Sequence, residues 1–521
     1  MSASKEKKAR QEQAASGWTD PKTAREAQKR KEEKRSNILY ATIAILFVVV
    51  AAATFVWKSG IVQRSATAAT VNGETYTAGE VQYYYTTTYQ NFLSQYGYYA
   101  SMLGLDTSSS LKNQECAIDE ESETWYDYFV KQALQQMADI HAVYDKAIAD
   151  GFAWNDDMQA DFDDTMESLQ GSVDTYNHAY ASNLKTEDYL QLVYGSTMTQ
   201  KIYEEQLKVS ILAQAYSDSF VSSLEYSDSE LEAAYSEDKN SYDLVNYECV
   251  RVNGAAESTT DANGNTVDPT DDEKAAALRA AKDLADSIYA SYQAGESLED
   301  LADGEDKASY TEGENASYYD STLLNWLFAS GRKDGDSTVL ADEDNSAYYV
   351  VVFGQRFRPE FDVQDVRHIL ISPEDGEKSE GDEGYEEEQA QLMADAKAKA
   401  EDLLAQYLAG DATEDAFAAL AAEYSEDTGS ASNGGLISQV SELSNYVENF
   451  QNWCLASHKP GDTGIVESVY GYHIMYFAGN EEAYWKAQVR SNLTSNAYME
   501  WYGETTKDTS YEQSSGIRYV G

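Results

Sequence analysis

Twenty consecutive residues, Ile38 to Trp57, carry no charge. A bilayer is crossed by a helix of about 20 apolar residues. Tyr40 and Trp57 stand near the two ends, where aromatic rings favour the interface, and Lys34 and Arg35 precede the run. The excess of basic residues on that side predicts a transmembrane anchor over residues 37–58, with residues 1–36 as a cytoplasmic tail and the remainder extracytoplasmic. A cleaved signal peptide has a short basic region and an apolar core of about 7–15 residues. The leader and the core here are both longer. No cysteine follows the segment, so a lipoprotein anchor is not indicated.

Beyond the anchor, the pattern over residues 62–245 is mostly helical. Ala69 to Thr77 alternates around Asn72-Gly73, a hairpin signal. An aromatic-rich helix is expected from Thr77 to Gly97. Another is expected from Ser122 to Gly151, with Ser122 as its N-cap and Trp125, Phe129, Leu134, Met137, Ile140 and Val143 on one face. One or two more fall within Glu187–Leu224. Residues 246–360 and 361–480 then read as two copies of one unit. Each opens with a strand (Tyr247-Glu-Cys-Val-Arg-Val; Val366-Arg-His-Ile-Leu-Ile). Each continues through an Ala-rich helix ending at Ala-Gly (Gly295; Gly410) and repeats an Asn-Trp segment (Asn325; Asn452). Each closes with a strand (Tyr348-Tyr-Val-Val-Val-Phe; Tyr472-His-Ile-Met-Tyr-Phe). Strands flanking helices imply α+β domains, and the whole is an α+β multidomain chain. Residues 481–521 add a helix over Glu482–Tyr502, with Trp485, Val489, Leu493 and Trp501, and a polar tail.

Composition narrows the function classes. The 521 residues hold 38 Lys and Arg against 91 Asp and Glu, a net charge of −53. Residues 1–36 carry +5, so the rest carries −58. So acidic a surface repels phosphate backbones, which excludes nucleic acid as a partner. Three cysteines, Cys116, Cys249 and Cys454, allow at most one internal disulfide and lack zinc-site spacing. Neither a metal nor a cofactor is expected. Asp261 to Asp272 resembles a calcium loop but lacks its sixth-position Gly and twelfth-position Glu, so it reads as a turn. The acidic run Glu374–Glu388 reads as a solvated loop.

Any histidine chemistry must come from His141, His178, His368, His458 and His473. Three of the five lie in the second copy and none in the first. His368 and His473 sit on its first and last strands, where antiparallel pairing would set the rings side by side and let each hold the other's tautomer. Between them runs Tyr424-Ser-Glu-Asp-Thr-Gly-Ser-Ala-Ser-Asn-Gly-Gly-Leu, polar residues leading into a Gly-Gly that permits unusual backbone angles. His458, in Ser-His-Lys-Pro-Gly, reads as exposed.

Taken in order, His-Ile-Leu-Ile, the helix ending in Ala-Gly, Tyr-Ser-x-Asp-x-Gly-Ser-Ala-x-x-Gly-Gly, Val-x-x-Phe, Gly-Asp-x-Gly and Tyr-Gly-Tyr-His-Ile resemble a parvulin-type peptidyl-prolyl isomerase from Val366 to Phe477. The wider layout resembles the PrsA/SurA foldases, in which a helical chaperone module accompanies one or two parvulin domains and the final helix packs back on that module. The resemblance implies that residues 62–245 are the chaperone domain, 246–360 a degenerate parvulin-like domain and 361–480 the isomerase. It implies catalytic roles for His368, Asp427 and His473, and a prolyl-binding wall of Tyr446 and Phe450, with Tyr470 at a position where a hydroxyl is often found. The implied partners are unfolded or partly folded exported proteins containing proline, with homodimerisation left open. Two departures stand out: Leu436-Ile437-Ser438 replaces the usual Asp-Leu-Gly, and Tyr446 replaces a common Met. Cys249 and Tyr349 stand where the first copy would need histidines, so that copy is expected to be catalytically silent, either a spacer or a client-binding surface. A holdase with an inactive parvulin fold is the alternative to an enzyme.

Overall fold

The computed structural model describes residues 60–521 except 98, 262–263 and 380, and before residue 60 only residues 5, 7, 8 and 46–49. The expected anchor therefore lies outside the described residues, apart from a helical turn at 46–49. Among the described residues no helix is long and apolar enough to cross a membrane. The chain divides into two compact units. One holds the residues up to Leu224 together with Ala497–Gly521, and the other holds Glu225–Asn496.

After a single helical turn at Ile61–Arg64, the first unit forms the expected hairpin, β1 (Thr67–Val71) and β2 (Glu74–Thr77). Asn72 and Gly73 turn it with φ of 50° and 87°, the double positive φ of a type I′ turn. Four long helices follow: α1 (Ala78–Tyr96), α2 (Trp125–Ala149), α3 (Asp156–Tyr180) and, after the short α4 (Thr186–Tyr194), α5 (Gln200–Ser222). Thr77 starts α1 through a reciprocal box with Glu80. The start of α2 differs from the sequence expectation. Thr124 caps it, boxed with Asp127, while Ser122 is buried and donates to Asp119 at 2.7 Å. The box satisfies two helix-end donors at once, which a lone serine does not. The core is aromatic: Trp125, Phe129, Phe92 and Tyr84 are almost fully buried. The tail expected to be merely polar instead forms β11 (Tyr511–Gln513), antiparallel to β1, and buries Val520 completely.

The second unit begins with α6 (Asp228–Glu237), whose Leu231 and Tyr235 pack against Trp485 and Val489 of α13 (Tyr484–Thr506). Between them lie the two copies. The first contains β3 (Leu244–Asn253), α7 (Asp271–Gln293), α8 (Leu298–Ala302), β4 (Ala308–Ser317), α9 (Thr322–Leu327), β5 (Ser337–Asp342) and β6 (Ala347–Phe357). The second contains β7 (Asp362–Ile371), α10 (Tyr385–Ala409), α11 (Glu414–Tyr424), β8 (Leu436–Val440), α12 (Glu448–Leu455), β9 (Thr463–Ser468) and β10 (Gly471–Ala483). Their sheets have the orders β4-β3-β6-β5 and β8-β7-β10-β9, the same topology twice, all antiparallel. The register matches as well. Cys249 opposes Val351 as His368 opposes Met475, and Arg251 opposes Tyr349 as Leu370 opposes His473. The acidic run ends inside α10, which starts at Tyr385, so its last three glutamates form the first turn of that helix. Asp261 accepts from the backbone and side chain of Asn265, an ordinary turn.

Candidate active site

Alternation along two strands builds the site. On β7, Ile369 and Ile371 face α10 and α11, packing with Ala400, Leu403 and Phe417. Val366 faces the other side with Met475, Phe477, Phe450 and Cys454. His368 shares that second face, since side chains two apart point the same way. His473 opposes Leu370, so the two histidines are diagonal neighbours across the ladder. Their ring centroids lie 5.3 Å apart with the planes inclined by 28°, and Nδ1 to Nδ1 is 3.1 Å.

Asp427 reaches the pair from the loop after α11. Its Oδ2 is 2.8 Å from His368 Nε2, and Ser430 Oγ donates to the same oxygen at 2.5 Å. Gly429 N–H donates to Oδ1. The Gly434-Gly435 signal in the sequence finds its reason here. The backbone at Gly435 has φ +69°, and its carbonyl accepts His368 N–H at 2.8 Å. A Cβ there would lie 2.1 Å from the His368 carbonyl oxygen.

At the far end, Ser468 Oγ is 2.8 Å from His473 Nε2. Ser468 opposes Gly471 in the β9–β10 hairpin, which makes it the diagonal neighbour of His473. Sequence reading placed the hydroxyl at Tyr470 instead. Tyr470 lies in the tight turn itself, 60% exposed, and meets the cluster only through its backbone N–H, which donates to Ser468 Oγ. A two-residue step back from the turn, read with strand alternation, is the signal that singles out Ser468.

These contacts fix the direction of every proton. Burial opposes ionisation of Asp427, but hydrogen bonds from Ser430, Gly429 and His368 outweigh it and hold the carboxyl below its ordinary pKa. An ionised Asp427 accepts the hydrogen bond of His368 Nε2–H. His368 Nδ1 is then an acceptor, His473 Nδ1–H donates to it, and His473 Nε2 accepts from Ser468. Both imidazoles are neutral. Burial lowers the pKa of His368 against the pull of Asp427. Burial and the neighbouring His368 bring that of His473 to about 4.

Phe450, from α12, is 3% exposed and lies 5.2 Å from both imidazoles, ring to ring. Tyr446 flanks Phe450 at 5.4 Å and is 41% exposed, so it forms the outer edge of the same wall. His458 does not join the site and is not exposed as expected. It stacks on Trp453 at 4.1 Å, donates from Nε2 to the Trp453 carbonyl, and keeps only 17% side-chain exposure. The three cysteines are free and buried.

Residues 354–480 match the PPIC-type PPIASE domain family. No curated protein sequence matches the chain. Among solved structures, PrsA from Bacillus subtilis is 13% identical, with 85% of this chain and 93% of that one covered and a TM-score of 0.22. The foldase protein PrsA from Streptococcus pneumoniae is 12% identical over 75% of this chain and 91% of that one, at a TM-score of 0.18. The peptidylprolyl isomerase PrsA from Bacillus anthracis is 19% identical, but only 28% of this chain and 57% of that one are covered, at a TM-score of 0.17. These TM-scores are low, and the domain match is what identifies the chemistry: residues 354–480 are a parvulin-type peptidyl-prolyl cis–trans isomerase domain.

Proposed function

We propose that the chain is a membrane-anchored extracytoplasmic foldase whose parvulin domain isomerises X-Pro bonds in exported polypeptides, with the helical unit holding the client. The hydrogen-bonded chain Asp427–His368–His473–Ser468 behind the Phe450 ring carries this reading.

Rotation about a peptide bond faces a barrier of about 18–20 kcal/mol, and X-Pro bonds left alone isomerise in tens to hundreds of seconds. No covalent bond has to be made. The site needs only to bind the twisted amide better than either planar form. Phe450 and Tyr446 offer an apolar surface for the pyrrolidine ring. The neutral imidazole pair places no full charge against the planar amide, whose dipole such a charge would stabilise. As resonance is lost, density returns to the prolyl nitrogen. Polarisable hydrogen bonds in the cluster adjust to that shift without ion formation. Asp427 anchors the polarity of the cluster from one end and Ser468 from the other.

The test is prolyl isomerase activity of the full chain on proline peptides, beside its His368→Ala/His473→Ala variant. Activity that vanishes in the variant supports the reading. A folded protein with no activity above the uncatalysed rate overturns it and leaves a chaperone that only holds clients. The unusual Leu436-Ile437-Ser438 after Gly-Gly is the feature that such a result would bring forward.

A further inference from the structure

The first copy lacks the catalytic side chains but has something the second does not. Its edge strand β4 is 10 residues long, whereas the matching edge strand β8 has 5. Among the described residues only one side of β4 is paired, with β3. Every second residue on an edge strand offers its N–H and C=O outward.

Carboxylates gather at this edge. Glu248 of β3 and Glu312 of β4 stand directly opposite each other in the register. Like charges so placed destabilise a sheet. With Glu314 and Asp334 they line a cleft of about 200 Å³, whose floor includes Gly313 and Gly354. Among the described residues the ion pairs of this domain, such as Lys307–Glu257 and Arg356–Asp243, involve none of the four. Burial, Glu248 and Glu312 together push the neighbouring Tyr310 hydroxyl up to about 12. Charged edges also deter unwanted pairing. That reading accounts for Glu312 and Glu314. Glu248 on the inner strand, which accepts from the Tyr310 hydroxyl, and Asp334 before β5 line the same cleft without belonging to the edge.

We infer that the catalytically silent domain docks an extended, proline-poor, basic polypeptide segment as an added strand along β4, with a Lys or Arg of that segment in the Glu248–Glu312–Glu314–Asp334 cleft. Main-chain pairing suits clients of varied sequence, because the backbone supplies the bonds and pockets select alternate side chains. Proline is disfavoured there because it has no N–H to give. The inference stands apart from the isomerase reading, since it needs no catalytic side chain.

Hydrogen exchange on the full chain tests it. The probe is an octapeptide of alternating Lys and Val, at about 0.15 M salt so that loose attraction is screened. The controls are the Glu-for-Lys peptide and the Lys peptide N-methylated at alternate amides. The expected result is slowed exchange within Ala308–Ser317 with the Lys peptide and with neither control. Glu312→Gln/Glu314→Gln should weaken binding about tenfold. Both glutamates are exposed, so the variant should fold. Equal binding of the N-methylated peptide, or protection confined to other segments, overturns strand docking. No binding at all overturns the whole inference and leaves the glutamates as guards of a bare edge. The N-methylated comparison needs no variant, and a probe without proline gives the same answer whether or not the protein isomerises anything.

Discussion

Cys249 pairs with Val351 in the register by which His368 pairs with Met475. The sheet positions that hold the histidine pair in one copy hold packing side chains in the other. The Cys249 side chain is 3% exposed among Leu324, Leu327 and Phe328, and burial pushes its thiol up to about 11. It is a neutral apolar group there. Cys249→His/Tyr349→His, made in a chain that also carries His368→Ala/His473→Ala, should therefore give no isomerase activity. The first copy lacks the Tyr-Ser-x-Asp loop, and a buried polar group left without its partner costs about 1–3 kcal/mol, so the melting temperature should fall. Measurable isomerisation by this variant would refute the argument.

Ser468 and Tyr470 separate by function. Ser468→Ala leaves His473 Nε2 without its donor and frees the tautomer that Asp427 imposes. A drop in kcat/KM of about tenfold, worth about 1.4 kcal/mol of transition-state stabilisation, is expected in a peptide assay. Tyr470→Phe should stay within about twofold, because the cluster uses only its backbone. The reverse ranking would mean that the turn closes over the substrate.

Activity should be flat through neutral pH and fall under acid conditions. His473 titrates near 4, so its neutral form persists well below the ordinary histidine pKa of about 6.5. The sign for stability follows. Between about 6.5 and 4 the unfolded chain binds a proton that folded His473 refuses, so the unfolded state gains protons and stability declines as pH falls through that window. His368 acts in the same direction. Asp427, held below its ordinary value, adds a further loss as pH drops through the carboxylate range. Denaturant melts of wild type and His473→Ala at several pH values measure this. The variant should show a shallower decline between pH 6.5 and 4, and identical slopes would remove His473 from the account.

Gly435→Ala tests the backbone that holds His368. The left-handed conformation alone costs a non-glycine residue about 1–2 kcal/mol, and the added Cβ would overlap the His368 carbonyl. Both activity and melting temperature should fall. Loss of activity with an unchanged melt would show that the loop moves aside while the histidine is misplaced.

The pairing of His368 and His473 was legible in the sequence because both histidines interrupt apolar strands, and strand pairing brings alternate residues together. The duplication was legible because its strands and helix ends repeat in order. Ser430 and Ser468 were not. A serine in a loop or at a hairpin end carries no periodic signal, and its role depends on a turn geometry set by neighbours. Ser122 failed as a cap for a related reason: the helix starts two residues further on, where Thr124 finds its reciprocal partner in Asp127. The tail was misread because three residues of strand have no pattern of their own. Their partner, β1, lies at the other end of the chain.

That last pairing has a consequence for how the protein is made. Ser510 N–H donates to Asn72 Oδ1 across 438 positions, next to the β1–β11 ladder. The sheet of the helical unit therefore stays one strand short until almost the whole chain is available. The two copies between, each closed by contacts within its own segment, have no such wait. Contacts this distant are the slowest to form. The unit that begins first should finish last, so during synthesis the chain should pass through a stage in which its helical unit is incomplete.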